Sequence, residues 1–132
     1  MYDHTIRNIS LNLPLAHILG ADTTLVYSIL QVFNDDAQSE GIELADNFFS
    51  ATFEDLSIFT ALGKNKINKA IQSLEELSLI ETSIRGMPRR LHIKLNNDDT
   101  AFETLNNIME EGEKKISEAI ENRKSKIQEY YM

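Results

Sequence analysis

The fold is decided by residues 52–95, which read TFEDLSIFTALGKNKINKAIQSLEELSLIETSIRGMPRRLHIKL. Apolar residues in this stretch recur first at the three- and four-residue spacing of helices, and then alternate as they do in strands. The pattern predicts two helices that are joined by a tight turn and followed by a two-stranded hairpin. The remainder of the chain is interpreted around this unit.

The first of the two helices begins at a capping motif. Thr52 lies three residues before Asp55, which resembles a capping box with Asp in place of the usual Glu or Gln. The apolar positions of this helix are Leu56, Ile58 and Phe59. The turn follows at residues 61–63, where we expect Gly63 to adopt a positive φ.

The second helix, Lys64 to Leu77, is amphipathic. Its apolar residues recur at helical spacing and predict a buried stripe of Ile67, Ala70, Ile71, Leu74 and Leu77. The opposite face carries amides and lysines, namely Lys64, Asn65, Asn68, Lys69 and Gln72. Glu75 and Glu76 follow only at the far end, so the beginning of this helix has no acidic side chain.

The predicted hairpin has strands at residues 79–84 and 91–95. Between them lies Arg85-Gly86-Met87-Pro88-Arg89-Arg90, in which glycine and proline favour a turn and leave three guanidinium groups at the tip. Residues 48–50 read as a short third strand, whose available partners are the two strands of the hairpin.

Helices are expected on both sides of this unit. Pro14 and Gly20 bracket a short one, and Asp22 or Thr23 can cap a second that contains Leu25, Val26, Ile29, Leu30 and Phe33. A last helix reaches toward Tyr130 with the apolar stripe Phe102, Leu105, Met109, Ile116, Ile120 and Ile127. We therefore expect a mainly α fold with a small antiparallel β-sheet, a winged helix-turn-helix at residues 1–97 and a C-terminal helix at 98–132.

The last helix is interrupted by Gly112 and is longer than a domain of this size can cover. It therefore either bends near that glycine or pairs with a second subunit. We favour a homodimer through residues 100–130, because a terminal helix can set the spacing of two DNA-binding units.

Charge is distributed unevenly along the chain. The net charge is −8, yet residues 60–95 carry seven basic and three acidic side chains. A local positive field is what a polyanion meets within a Debye length of about 8–10 Å. Such a field suits a nucleic acid, and it also suits an acidic protein partner.

Other functional classes receive little support from the sequence. The chain has no cysteine, no apolar run of membrane-spanning length and a beginning unlike a signal peptide, so we expect a cytoplasmic protein with no membrane association. His4, His17 and His92 have no acidic or thiol neighbour at metal-ligand spacing, and no phosphate loop or nucleophile motif is present. We expect no catalytic residue, metal or cofactor, and no enzymatic activity.

The combined features favour a protein that binds double-stranded DNA. Amides can pair bidentately with adenine, and lysines can reach guanine edges or phosphates. The sequence predicts base contacts from Asn65, Asn68, Lys69 and Gln72, and phosphate contacts from Lys64, Lys66, Arg85, Arg89 and Arg90.

Residues 51–95 also resemble a known family, the winged-helix domain of phage and plasmid replication initiators and replisome organisers, which are relatives of the DnaD-type primosome proteins. The resemblance is carried by Leu77, Leu79-Ile80-Glu81, Gly86-Met87-Pro88, Leu91 and Ile93, with Leu13-Pro14-Leu15-Ala16 and Gly20 upstream. Ser78 stands where relatives commonly have glycine. The resemblance implies a role in replication initiation alongside other replication proteins. A scaffold for oligomerisation within a primosome and a transcription regulator remain alternatives.

Overall fold

The computed structural model describes residues 8–41 and 46–131 of the chain. This part contains five α-helices and three β-strands: α1 (Leu13–Leu19), α2 (Ala21–Ser39), β1 (Phe49–Ser50), α3 (Phe53–Thr60), α4 (Lys64–Glu76), β2 (Ile80–Arg85), β3 (Arg90–Leu95) and α5 (Asp99–Tyr131). The prediction of a mainly α fold with a small antiparallel sheet and a long C-terminal helix is confirmed.

Helices α1 and α2 meet at Gly20. The side chain of Asn12 caps α1 by accepting a hydrogen bond from the backbone N–H of Leu15 at 3.1 Å. Gly20 ends α1 with a φ of 90° and is also the residue that precedes α2. The predicted cap at Asp22 or Thr23 is therefore wrong, because both lie within the helix and Thr23 is buried.

Helix α3 is capped as predicted but buries fewer residues. The Thr52 hydroxyl accepts a hydrogen bond from the backbone N–H of Asp55 at 3.1 Å, and Leu56 is fully buried. Ile58, however, is 68% exposed, and Phe59 is exposed as well. Ile58 lies two residues beyond Leu56, about 200° around the helix, so a helix that packs on one side cannot bury both.

The turn between α3 and α4 places its left-handed residue earlier than predicted. Ala61 has a φ of 59°, whereas Gly63 is extended with a φ of −77°. Ala61 ends α3 by donating its backbone N–H to the carbonyl oxygen of Ser57 at 2.8 Å. The Thr60 hydroxyl accepts the backbone N–H of Leu62 at 3.2 Å and fixes the turn further. The hydrogen bonds of the backbone N–H groups of Ala61 and Leu62, rather than the position of glycine, therefore decide where the chain reverses.

Helix α4 and the sheet enclose the core as the sequence predicts. Four of the five apolar residues predicted in α4 are buried, while Leu77 is half-buried just beyond the helix. The strand order is β1-β3-β2, and all pairs are antiparallel. Ile93 in the central strand lies opposite Phe49 on one side and Thr82 on the other. The predicted short strand is present, although it is one residue shorter.

Helix α5 runs without interruption through Gly112 and packs against α1 by its first half. A Cβ atom on Gly112 would lie 2.0 Å from the carbonyl oxygen of Pro14. The glycine therefore allows two backbones to approach closely, and the predicted interruption of the helix at this residue is wrong. Only part of the predicted stripe packs on the body, since Phe102, Ile120 and Ile127 are exposed.

Replacing Gly112 by alanine tests this close approach, because the free energy of unfolding should change in opposite directions at a crowded and at an open position. In an open helix the change would stabilise the protein by about 1 kcal/mol. Against Pro14 we expect the added methyl group to lower the free energy of unfolding instead, by about 1–3 kcal/mol, because the backbones must separate. Chemical denaturation measures the difference.

Ser117→Ala, at an exposed position of α5, serves as the matched control and should be neutral or slightly stabilising. A Gly112→Ala variant as stable as the Ser117→Ala variant would show that α1 and α5 do not cross at this point.

Candidate nucleic-acid interface

The polar residues that the sequence predicts on the outer side of α4 are all exposed, and they form two lines along the helix. Ile67, Ala70, Ile71 and Leu74 form the buried stripe. Asn65, Lys69 and Gln72 recur at spacings of four and three residues and lie opposite that stripe. An amide, an ammonium group and a second amide thus form one line along the side of α4 that faces solvent.

A second line, Lys64 and Asn68, lies on the side of α4 that faces the hairpin β2–β3. The Thr82 hydroxyl donates a hydrogen bond to the Glu75 carboxylate at 2.5 Å, which shows that this side of the helix meets β2. Asn68 precedes Glu75 by seven residues, close to two helical turns, and so shares its side. The hairpin thus contacts the C-terminal end of α4, and Lys64 and Asn68 continue the same side of the helix toward its N-terminus.

The two flanking lysines of α4 have partners on neighbouring helices. The Lys66 ammonium group lies 3.9 Å from the Asp22 carboxylate of α2, and both side chains are largely exposed. The Lys64 ammonium group lies 5.7 Å from the centre of the Phe53 ring in α3. Exposed contacts of this kind contribute little to stability. Solvent or an added anion can therefore replace the present partner of either lysine. Both lysines thus remain accessible to a ligand.

Arg85, predicted at the tip of the hairpin, is instead bound to the segment before β1. Its Nη2 and Nη1 atoms donate to the two carboxylate oxygens of Asp46 at 2.6 and 3.1 Å. Its guanidinium carbon lies 4.2 Å from the centre of the Phe48 ring. Ser83 accepts a further hydrogen bond from Nε at 3.0 Å. The geometry is that of a bidentate Arg–carboxylate pair stacked on an aromatic ring.

This ion pair shifts the acid–base equilibria of both partners. The hydrogen bonds from Arg85 are the main reason that the pKa of Asp46 lies below its ordinary value. The hydrogen bonds to Asp46 likewise raise the pKa of Arg85. The pair therefore stays charged through the neutral range, and we name Asp46, Phe48 and Arg85 the hairpin brace.

The remaining hairpin arginines differ from Arg85. Arg89 and Arg90 are exposed, and neither is ion-paired with any residue in the part of the chain that the structure describes. Arg90 lies directly opposite Arg85 in the β2–β3 register. Of the three guanidinium groups predicted at the tip, Asp46 binds one, and the other two have no ion-pair partner among the described residues.

The structure offers few features for other chemistry. Within residues 8–41 and 46–131, no group of three or more His, Asp or Glu could hold a metal ion. His17 is exposed, and the Nδ1 atom of His92 lies 3.1 Å from the carbonyl oxygen of Arg90. His4 lies outside the described residues. No helix among those described has the length and apolar character needed to cross a membrane.

Sequence reasoning missed Asp46 and Phe48, which complete the hairpin brace. They lie 39 and 37 residues before Arg85 in the chain, and the segment before β1 has no motif that indicates a contact with the hairpin. Their proximity follows from the pairing of β1 with β3, which brings residues 46–50 across to the hairpin. The contact can be predicted from the sequence only when the order of the strands is already known.

The fold is similar to that of two solved structures. One is the N-terminal domain of a DNA-binding protein, with a TM-score of 0.54 and 16% sequence identity over 76% of this chain and 84% of that chain. The other comes from a Rep–DNA complex, with a TM-score of 0.54 and 16% identity over 75% of this chain and 85% of that chain. At this identity the likeness establishes a common fold. No protein-family model and no curated protein sequence matches the chain.

The hairpin brace predicts a pH dependence of stability. Because the pKa of Asp46 is lowered by folding, its contribution is present above the ordinary aspartate value of 3.8 and is lost as the pH falls through the folded-state pKa. We therefore expect the wild type to be slightly more stable than Asp46→Asn near pH 7, and this difference to shrink below about pH 4. Urea denaturation of both variants across this range measures it.

Arg85→Gln provides the control background. In that background the effect of Asp46→Asn should change much less with pH, because only the weaker hydrogen bond from the backbone N–H of Phe48 still lowers the pKa of Asp46. A pH dependence of unchanged size without Arg85 would show that Arg85 is not the main cause of the lowered pKa.

Proposed function

We propose that the chain is a winged-helix protein that binds double-stranded DNA and acts in the initiation of replication of a phage or plasmid. The observation that carries the proposal is the exposed line of Asn65, Lys69 and Gln72 on α4, with Lys64 and Asn68 beside it and a basic hairpin that contacts the C-terminal end of the same helix. The order α2-β1-α3-α4-β2-β3, with β1 paired to β3, is the arrangement we expect of a winged helix.

In the proposed complex α4 enters the major groove. The groove is about 12 Å wide and admits one helix, and an amide can form two hydrogen bonds with an adenine edge. Asn65, Asn68 and Gln72 would supply such amides, and Lys69 would reach a guanine edge. All four side chains are exposed, so the contact requires no rearrangement of the core.

Positioning on the duplex would come from cations around α4. Lys64, Lys66, Arg89 and Arg90 are exposed and can reach phosphates on either side of the groove. Arg85 was expected to join them, but its bidentate bond to Asp46 suits it better to holding the hairpin in place. Lys66 would exchange its weak contact with Asp22 for a phosphate.

The acidic residues limit how the DNA can lie. Glu75 and Glu76 occupy the C-terminal end of α4 and would repel a phosphate there. The free N–H groups and partial positive charge at the other end of the helix favour phosphate. The DNA should therefore lie across the first half of α4, and the net charge of −8 should keep non-specific binding weak.

The likeness in fold to a DNA-binding domain and to a protein from a Rep–DNA complex supports the proposal. The Gly86-Met87-Pro88 motif in the hairpin supports it as well. We propose a binding role without catalysis. A transcription regulator would use the same surface, since no described residue separates control of transcription from replication initiation.

A salt titration against duplex DNA tests the proposal. For the four cations assigned to phosphates in each chain, the slope of log affinity against log salt should be about −4 per bound chain. Arg89→Ala with Arg90→Ala should weaken binding to all sequences alike and flatten the slope by about 2. Fluorescence anisotropy measures both quantities.

Asn68→Ala is the contrasting variant, because it removes a base contact and leaves the charge unchanged. It should lower discrimination between DNA sequences by about 1–3 kcal/mol per lost base contact and keep the wild-type slope. An affinity that does not depend on salt would contradict the proposal.

Helix α5 favours self-association as part of the proposed function. Its 33 residues extend about 50 Å, but its buried residues end at Gly112. From residue 117 onward every described side chain is exposed, including Ile120 and Ile127, which lie on one side of the helix. We assign this apolar line to a homodimer within residues 100–130, which would present two copies of α4 to two half-sites.

Charge substitution on α5 tests the dimer. Ile120→Glu with Ile127→Glu should convert a dimer into a monomer, because two carboxylates would be buried at the contact. Asn122→Glu with Ser125→Glu adds the same charge on the opposite side and should leave the dimer intact. Sedimentation equilibrium gives the mass of each variant.

A wild-type mass of one chain at micromolar concentration would refute the dimer. The alternative function is a winged-helix scaffold that assembles with replication proteins. It would be favoured if the Ile120→Glu, Ile127→Glu variant has a lower mass than the wild type while the wild type binds no DNA.

A further inference from the structure

The tip of the hairpin exposes an apolar side chain that no internal contact explains. Met87 is 98% exposed, and Ile84 nearby is 55% exposed. A single exposed apolar residue is ordinary on a protein surface. Here, however, it is followed within three residues by Arg89 and Arg90, which lack an ion-pair partner among the described residues. The tip therefore combines an apolar end with free positive charge.

This combination fits one class of surface, the minor groove of DNA. The groove is about 6 Å wide, which excludes a helix and admits a narrow turn. Proteins that bind there insert Met, Ile, Leu, Phe or Pro between base steps, while arginine is attracted to the negative potential of the groove. A membrane or an apolar protein partner would require a larger apolar area than Met87 and Ile84 provide.

The hairpin brace holds the strand end from which the tip extends. Arg85 is the last residue of β2 and lies two positions before Met87. Its bonds to Asp46 and its stacking on Phe48 tie this end of the strand to the segment before β1. A side chain can separate stacked nucleobases only if the strand that carries it resists displacement. The hairpin brace supplies that resistance at Arg85, the residue of β2 nearest to Met87.

We infer that Met87 is a wedge that enters the minor groove next to the site of α4 and bends the DNA, with Arg89 and Arg90 on the groove walls. The inference rests on the proposed function, because the wedge needs DNA bound at α4. Flexible pyrimidine–purine steps in A·T-rich DNA unstack most easily and are the preferred position. Met87 thereby adds a sequence preference outside the bases that α4 reads.

The experiment compares Met87→Ala with Met87→Leu in the full chain, on a duplex carrying a fluorescent donor and acceptor at its ends. The wild type should increase energy transfer by bending the duplex, and Met87→Leu should retain the bend because leucine is also an apolar wedge. Met87→Ala should lose most of the bend and about five- to tenfold in affinity for duplexes with a TA step. Its melting temperature should not change, because Met87 makes no core contact.

Two further results separate the possible failures. Netropsin, which occupies A·T minor grooves, should abolish the affinity difference between Met87→Ala and the wild type. If Met87→Ala bends DNA like the wild type, the wedge is refuted while the proposed function stands. If the wild type binds no duplex at any salt concentration, the proposed function and the wedge are refuted together.

Discussion

The structure depends on how α4 packs against the core. Its stripe of Ile67, Ala70, Ile71 and Leu74 is buried against α2, α3 and the sheet, and burial of each isoleucine or leucine is worth roughly 1.5–3 kcal/mol. This packing fixes the rotation of the helix about its own axis. Because the rotation is fixed, the amides and lysines on the other side share one exposed surface. A rotation of about 100°, the angle between successive residues, would carry some of these polar side chains into the core.

The position of the hairpin depends on a separate set of contacts. Pairing of β1 with β3 holds the hairpin to the body, and the Thr82–Glu75 hydrogen bond holds β2 against α4. The bond between Arg85 and Asp46 then fixes the end of β2. Arg85 thus holds the hairpin, whereas Arg89 and Arg90 have no ion-pair partner among the described residues.

The two ends of α5 have different surroundings, although the sequence gives them one continuous pattern. The first half is buried at Ala101, Ile108 and Gly112, where the α1 backbone approaches closely. The second half projects with Ile120 and Ile127 exposed. Apolar periodicity predicts that a helix has a buried side, but it does not say whether the same chain covers that side. This is why Gly112 looked like an interruption and is instead a contact.

The sequence by itself determined the element types, the buried side of α4, the cap at Thr52 and the exposed polar surface, because these depend on neighbours within about one or two helical turns. Only the tertiary structure decided which residue reverses the chain at the turn, that Ile58 faces solvent, and that Asp46 holds Arg85. Those features depend on residues far apart in the chain or on competition among several local conformations. Side-chain periodicity carries no information on either, since the strand order and the helix crossings are set by packing of the whole core.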